Sequence, residues 1–208
     1  MQRIRDNRYS ASREFALERR GRKGTGIMAD KRQRLRDIIA AKSLLSGSFT
    51  LASGKPSGYF FDMKKTMFDP EGASLVGELL CDLLAGDSET KAVGGLEMGA
   101  VPIALAIAMK SNERGRRIDA FFVRKEVKDH GTAKRIDGNF APGSKVVILE
   151  DVTTTGGSAM KAVAAVRAEG GKVDKIVTIV DRLEGARENL KKEGLALVSL
   201  FTNDDFKR

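Results

Sequence analysis

Short apolar runs alternate along the chain with stretches in which apolar residues recur at helical spacing. The runs that predict strands are residues 92–96, 118–123, 145–149, 175–180 and 195–200, and the stretches that predict helices are 30–45, 70–85, 101–110, 158–168 and 185–192. Strands and helices in this order are typical of a mainly parallel sheet flanked by helices. We therefore expect an α/β fold.

The segment at 49–62 departs from this alternation and reads FTLASGKPSGYFFD. Two strand-like runs flank a turn rich in glycine, proline and serine, and this pattern predicts a hairpin that does not join the main sheet. With the helix before it, the hairpin would form a small N-terminal hood over about residues 30–65.

Charge divides the chain into two unequal parts. The net charge of +9 includes eight basic and three acidic residues within 1–27, so this segment carries +5 and the remainder +4. Few apolar residues lie there, which predicts a basic, disordered extension that precedes a single domain at 28–208. Met28 would be a plausible second start. The alternatives are a nucleic-acid-binding arm and an arginine-rich transit peptide, which the three acidic residues disfavour. We expect no nucleic-acid partner.

Composition also limits the compartment. The longest apolar runs, such as 101–109, are too short to cross a bilayer, so no membrane association is expected. Cys81 is the single cysteine and lies among leucines, which favours a packing role over a catalytic one. One cysteine permits no disulfide within the chain, and the reducing cytoplasm is the natural location.

The predicted strand at 145–149 is followed by residues suited to a ligand. Glu150 and Asp151 come directly after it, and ligands of open α/β sheets bind outside the carboxyl ends of strands. The loop that follows offers hydroxyls and unhindered N–H groups before a helix, which favours an anion. The glycines lack the Walker lysine and the GxGxxG spacing, so a sugar phosphate fits better than a nucleoside triphosphate. The alternative is a polar turn with a serine N-cap and no ligand.

A long basic segment separates two of the predicted strands. Residues 124–143 show almost no apolar periodicity, and cations surround the single histidine, His130. A loop of this length in a compact domain is usually functional or disordered. Closing over an anionic ligand, it would offset the charge of a leaving group and exclude water. A solvent-exposed surface hairpin is the alternative.

The stretch EDVTTTGGS resembles the phosphoribosyl pyrophosphate (PRPP) motif of the type I phosphoribosyltransferases. The resemblance implies the type I phosphoribosyltransferase fold. It also implies that Glu150 and Asp151 hold the ribose 2- and 3-hydroxyls, with Asp151 among the catalytic residues. The residues that would wrap the 5-phosphate are Thr153, Thr154, Thr155, Gly156, Gly157 and Ser158, and Val152 is also expected to contact PRPP.

The stretch RKEVKDHG narrows the resemblance to the orotate phosphoribosyltransferases, over about residues 30–205. These enzymes join orotate to PRPP to give orotidine 5-monophosphate and pyrophosphate in pyrimidine (UMP) biosynthesis. The match implies a homodimer in which the mobile loop, about 124–140, carries Arg124, Lys128 and His130 into the partner's site, while Lys125 serves its own subunit. Lys128 and His130 would be catalytic. His130 as general acid is a hypothesis, because loop lysines could do the same work.

Two further matches concern orotate. The hairpin SGKPSGYFFD is similar to the segment near the base in that family, which implies that Phe60 and Phe61 flank the base. Asp181-Arg182 matches a pair whose arginine binds orotate, and a guanidinium can grip a planar carboxylate with two donors. A surface salt bridge with Glu184 is the alternative role for Arg182, and Thr154 could add a contact to orotate. The resemblance implies Mg²⁺ held mainly through PRPP, without direct protein ligands.

Two positions depart from the family pattern. Ala52 stands where some members place a PRPP-binding lysine, and Met98-Gly99 stands where some place a tyrosine and a lysine. Lys55 and the backbone of residues 95–102 are the candidates for the missing contacts. A purine phosphoribosyltransferase and a PRPP-sensing regulator are the competing functions. The intact loop argues against both, and Asp181-Arg182 argues against a purine substrate.

Overall fold

The computed structural model describes residues 28–50, 54, 56–126 and 135–207, and its central feature is a six-stranded sheet. The strands of the chain are β1 (Leu44–Thr50), β2 (Pro56–Phe61), β3 (Ala92–Leu96), β4 (Asp119–Val123), β5 (Ile136–Gly138), β6 (Lys145–Thr153), β7 (Lys172–Asp181) and β8 (Ala196–Thr202). The sheet order is β5-β4-β3-β6-β7-β8, and all neighbours are parallel except β5 with β4. The predicted α/β fold is confirmed.

Helices cover both faces of this sheet. They are α1 (28–42), α2 (Lys64–Met67), α3 (Pro70–Leu83), α4 (Ala100–Glu113), α5 (Gly157–Ala168) and α6 (Ala186–Lys192), with a short 3₁₀ helix at Asn203–Phe206. Val147 and Leu149 of β6 face the core formed with α1, α3 and α4, whereas Val146 and Ile148 face the core formed with α5 and α6. The strand is apolar on both sides because both of its faces are buried.

The hood is a separate antiparallel pair of strands. β1 and β2 form their own two-stranded sheet, in which Leu44 pairs with Phe61 and Leu45 with Phe60. The predicted hairpin is therefore present. The predicted first helix was too long, because it ends at residue 42 and both leucines belong to β1. The aromatic partners on β2, rather than the helical spacing, decide the conformation of these leucines.

Other boundaries differ for similar reasons. Strand β6 was predicted to end at residue 149 but continues to Thr153, which pairs with Asp181 of β7. The predicted loop at 124–143 contains β5, which pairs with the sheet edge at β4. Neither α2 nor the 3₁₀ helix was predicted. The start of α3 was predicted correctly at Pro70, and Asp69 caps it by accepting a hydrogen bond from the Gly72 N–H at 2.9 Å.

The strand order reverses between β3 and β6. From β3 the chain proceeds outward to β4 on one side, and from β6 it proceeds through β7 to β8 on the other. Adjacent parallel strands at such a switch point diverge at their carboxyl ends and leave a crevice. A Cβ atom at Gly95 would collide with the Leu149 carbonyl oxygen. The close approach of β3 to β6 therefore requires glycine, and the crevice opens immediately beyond it.

Within the described ranges, no helix is both long enough and apolar enough to span a membrane. Cys81 lies in the core with 5% of its surface exposed, and its thiol points at the Ile107 carbonyl at 3.6 Å. Burial raises the pKa of this thiol. Cys81 is a packing residue, as predicted.

We predict that Gly77→Ala destabilises the protein, although alanine is ordinarily the better helix former. The new Cβ would lie 2.7 Å from the Ala106 carbonyl oxygen, where α3 crosses α4. Overpacking of this kind costs about 1–3 kcal/mol. Urea unfolding would measure the loss. The control is Gly86→Ala, because a Cβ there meets no atom within 4 Å. Equal stability of the two variants would contradict the prediction.

Candidate active site

The carboxyl ends of β3 and β6 enclose the candidate site. β6 pairs with β3 only as far as Ile148, whereas it pairs with β7 as far as Thr153, so Glu150 and Asp151 lie where the first pairing has ended. A cavity of about 260 Å³ opens there. Its lining residues are Lys64, Leu96, Glu97, Met98, Gly99, Lys125, Glu150, Asp151 and Ser158.

The two carboxylates are held in an environment that opposes their ionisation. Burial, and secondarily the charge of Asp151, raises the pKa of Glu150 to about 8. Burial also raises the pKa of Asp151, although the Val152 N–H donates a hydrogen bond to its Oδ1 at 2.8 Å. Oε1 of Glu150 is buried and accepts no hydrogen bond from any described residue. A buried acceptor without a donor costs free energy. The site therefore suits a ligand whose hydroxyls donate hydrogen bonds to Glu150.

The loop after β6 leads directly into α5. Gly156 has a φ of +88°, and the helix begins at Gly157, which leaves the first N–H groups of the helix without intrahelical partners. Leu190 packs 3.2 Å from the position of a Cβ on Gly156, and the Asn189 side chain donates a hydrogen bond to the Thr155 carbonyl at 3.0 Å. Helix α6 thus fixes the loop from behind. This geometry suits an anion such as a phosphate.

The start of the predicted phosphate loop has a structural role as well. Thr153 is buried and belongs to β6, and its carbonyl accepts the Arg182 N–H at 2.9 Å. Val152 contributes its N–H to Asp151. The loop proper therefore runs over 154–156, and Gly157 and Ser158 begin α5.

Arg182 follows β7 at the same edge of the sheet. Its side chain is buried, with the guanidinium 4.4 Å from the centre of the Tyr59 ring and Nη2 donating to Ser57 Oγ at 3.0 Å. Nε lies 2.8 Å from Glu184 Oε1, so the alternative ion pair exists, but in the interior rather than at the surface. Arg182 therefore joins the hood to the sheet beside the crevice.

Asp181 fixes the turn that carries Arg182. Its carboxylate is fully buried and accepts the Leu183 N–H at 2.9 Å and the Arg187 Nε–H at 2.9 Å. Leu183 has a φ of 60°, which is uncommon for a residue with a Cβ. The carboxylate stabilises this turn and thereby the direction of Arg182.

The predicted pair of flanking phenylalanines is not brought together. Consecutive strand residues point to opposite faces, and Phe61 is buried in the core against Phe206, with ring centroids 5.2 Å apart. Phe60 lies on the other face of the hood, 5.6 Å from Phe49. Tyr59 is the hood aromatic in contact with Arg182. Tyr59 was not predicted from the sequence. Its spacing of two residues from Phe61 indicates that both side chains lie on the same face of the strand, and this signal could have identified it.

The described part of the basic segment holds three cations, Arg124, Lys125 and Arg135. Lys125 lines the cavity, and its N–H donates to Glu97 Oε1 at 3.0 Å. Arg124 forms an ion pair with Asp137 of β5 and lies over the Phe122 ring. Lys128 and His130 lie outside the described residues, as do Ala52 and Lys55. In the part of the chain that the structure covers, no group of three or more His, Cys, Asp and Glu side chains could hold a metal.

Comparison with known proteins gives this geometry a family. The model of the phosphoribosyl transferase domain matches residues 67–204. The orotate phosphoribosyltransferase of Rhodopseudomonas palustris (strain BisB5) is 49% identical over 84% of this chain and 95% of its own length. That of Methanocaldococcus jannaschii is 45% identical over 83% and 95%. The chain belongs to the orotate phosphoribosyltransferase family.

Solved structures of orotate phosphoribosyltransferases show the same architecture. The Mycobacterium tuberculosis H37Rv enzyme in complex with Fe(III) dicitrate has a TM-score of 0.75 and 38% identity, over 86% of this chain and 99% of that one. The same enzyme in complex with PRPP has a TM-score of 0.71 and 36% identity, over 85% and 98%. An adenine phosphoribosyltransferase from Leishmania donovani, at 18% identity and a TM-score of 0.61, shares the fold. The type I phosphoribosyltransferase fold is therefore confirmed.

We predict that the stability of the unliganded protein depends on pH through Glu150. The pKa of Glu150 in the folded chain is about 8, compared with 4.5 for an exposed glutamate, so the folded state retains a proton that the unfolded chain releases. Stability should therefore decrease as pH rises from 4.5 to 8. Glu150→Gln removes this titration. Urea midpoints of both proteins between pH 5 and 9 would diverge, with the wild type falling relative to the variant, and a constant difference would contradict the assignment.

Proposed function

We propose that this protein transfers the 5-phosphoribosyl group of PRPP to orotate, giving orotidine 5-monophosphate and pyrophosphate. The observation that carries the proposal is the convergence of Arg182 with the carboxylates of β6 at one sheet edge. Pairing of Thr153 with Asp181 places the orotate-binding candidate directly beside the PRPP-binding candidates. Family membership supports the same reaction.

The sugar phosphate would occupy the crevice and the loop. Glu150 and Asp151 would accept hydrogen bonds from the ribose 2- and 3-hydroxyls, which explains a buried acceptor that has no described donor. The N–H groups and hydroxyls of 154–158 would bind the 5-phosphate at the start of α5. Ser158 lies in both the cavity lining and the first turn of α5, so it connects these two parts of the ligand.

Orotate would lie between the hood and the sheet. Arg182 would grip its carboxylate or a ring carbonyl, and Tyr59 would support the guanidinium from the hood. Thr154 would add a hydroxyl contact. Phe60 is partly exposed and remains a candidate for the base, whereas the burial of Phe61 assigns it to the core.

The chemistry requires positioning and electrostatics rather than a strong base. Departure of pyrophosphate from ribose C1 leaves an oxocarbenium-like centre, and orotate is already an anion-bearing nucleophile. The carboxylates orient the ribose, and Lys125 with the loop residues Lys128 and His130 would neutralise the leaving group. Hard oxygen donors at the crevice suit Mg²⁺ held mainly through PRPP, with Glu150 and Asp151 acting through the ribose hydroxyls. When bound, Mg²⁺ would offset the charge of the pyrophosphate.

We further propose a homodimer in which Arg124, Lys128 and His130 act in the partner's site. The support is an exposed apolar face beside the crevice. Met98, Leu105 and Met109 are exposed by 59%, 55% and 66%, and their spacing places both α4 residues on one side of the helix. Phe68, exposed by 69%, and Met98 lie near a common cavity. Apolar surface of this kind marks interaction sites.

The product would serve pyrimidine (UMP) biosynthesis. The cytoplasm remains the compartment predicted from cysteine usage, and residues 1–27 remain a predicted extension outside the described residues.

We predict that the protein consumes orotate only when PRPP and Mg²⁺ are both present. The decrease in orotate absorbance would measure turnover for the full chain and for a chain that begins at Met28. Equal rates would show that the segment 1–27 is dispensable. Adenine and hypoxanthine should give no product, because the guanidinium of Arg182 selects an anionic base. Turnover with a purine, or PRPP binding without any turnover, would overturn the proposal.

We also predict complementation between two defective variants. Lys128→Ala should lose turnover because a loop cation is missing, and Asp151→Asn should lose PRPP binding because a ribose acceptor is missing. If loops act across the interface, mixed dimers contain one site with both native residues, and about a quarter of wild-type activity should return under random exchange. Absence of recovery in a verified mixed dimer would place the loop in its own subunit's site.

A further inference from the structure

The pyrophosphate end of the crevice lacks the lysine that some family members place at position 99. Gly99 occupies this position, and a Cβ atom there would lie 2.9 Å from Oδ1 of Asp151. A side chain at 99 would therefore require the Asp151 carboxylate to shift from its position in this chain. With glycine at 99, a cation for this end of the crevice comes from another element.

Lys64 supplies a cation inside the crevice. It is the first residue of α2 and lines the 260 Å³ cavity together with Glu150, Asp151 and Lys125. It also lines an adjoining cavity of about 80 Å³ that reaches Met98 and Gly99. Sequence reasoning missed Lys64, since nothing in the sequence distinguishes it from the neighbouring Lys65.

The two cavities share some of their lining residues. Ser158, at the start of α5, lines only the larger cavity, and Phe68 lines only the smaller one, whereas Lys64 and Asp151 line both. Lys64 therefore shares the larger cavity with both carboxylates and with Ser158 of the phosphate loop. If the 5-phosphate is bound at α5 and the ribose at the carboxylates, Lys64 is a cation of the same cavity that can meet the pyrophosphate on C1.

The backbone that carries Lys64 is fixed. Met63 and Met67 are buried at 1% and 4% exposure, and the Thr66 hydroxyl shares a buried hydrogen bond of 2.6 Å with Ser43 of the hood. The lysine side chain itself is 60% exposed and free to reach a ligand from this anchored base. An anchored backbone with a flexible lysine side chain suits an anion that binds and leaves in each catalytic cycle.

Lys64 is balanced in the unliganded protein by carboxylates. Its Nζ lies 2.8 Å from Asp62 Oδ1. The interaction with Asp62, and to a smaller extent the charge of Asp151, raises the pKa of Lys64 above that of an exposed lysine. Lys64 is thus an ammonium ion at neutral pH. An incoming pyrophosphate carries more negative charge than Asp62 and can replace it as the partner.

We propose that Lys64 binds the pyrophosphate group of PRPP and of the product, in place of the lysine absent at position 99. The inference rests on the proposed function and extends it to a residue of the hood side. Lys64 would offset the charge of the leaving group together with Lys125, which lines the same cavity.

Lys64→Ala and Lys65→Ala form a matched pair for the test. Both lysines are exposed on the same short helix, but Lys65 lines neither cavity. Isothermal calorimetry with Mg-pyrophosphate, and separately with PRPP, should show affinity about 10- to 100-fold weaker for Lys64→Ala, the range for one hydrogen bond between charged groups. Lys65→Ala should bind like the wild type. In turnover, Lys64→Ala should raise KM for PRPP and leave KM for orotate unchanged.

Asp62→Asn separates ligand binding from a merely structural ion pair. If Lys64 only holds Asp62, both variants should lose pyrophosphate affinity equally. If Lys64 binds pyrophosphate, Asp62→Asn should bind it as well as or better than the wild type, and Lys64→Arg should restore part of the affinity lost in Lys64→Ala. Unchanged pyrophosphate affinity in Lys64→Ala would overturn the inference, as would an equal loss in Asp62→Asn.

Failure of the proposed function gives a different result. Binding of pyrophosphate and PRPP needs no orotate. If the protein binds them in a Lys64-dependent manner but does not consume orotate, the role of Lys64 stands and orotate is not the substrate. A wild-type protein that binds neither PRPP nor pyrophosphate would reject both.

Discussion

The close approach of β3 to β6 is the constraint on which the site depends. It requires glycine at position 95, because the Leu149 carbonyl occupies the space of a side chain. Beyond this contact the two strands separate, and β6 continues with support only from β7. Glu150 and Asp151 therefore remain on rigid extended backbone while facing open space on one side. A loop could supply the same carboxylates, but without the same fixed direction.

Burial of Glu150 and Asp151 in this crevice changes their ionisation. The carboxylates are partly removed from water and raised in pKa, so the unliganded protein carries an electrostatic penalty at neutral pH. A ligand with hydroxyls, accompanied by cations, relieves that penalty. Lys64 and Lys125 reach the same cavity from different elements, so positive charge surrounds the acidic pair without a direct ion pair to Glu150 among the described residues.

Sequence reasoning predicted the parts of the molecule that depend on local pattern. The buried run of β6, the acidic pair after it and the glycine loop before α5 were all evident from residue types. The extension of β6 to Thr153 was not evident, because Glu-Asp-Val-Thr has no strand pattern and is held by pairing with β7. Leu44 and Leu45 were assigned to a helix because their partners on β2 are distant in sequence. Lys64 and Asn189 were missed because each acquires its role through a contact between elements.

In the proposed site, Arg182 would separate two halves with different supports. The proposed phosphoribosyl half would be built from β6, the loop that follows it and the first turn of α5, which are consecutive in the chain. The proposed base half would be shared, because Arg182 directly follows β7 while Ser57 and Tyr59 of the hood contact its guanidinium. Substitutions in the hairpin can therefore alter the choice of base while leaving the sugar-phosphate half intact. One scaffold can thus diversify its acceptor specificity independently of its donor.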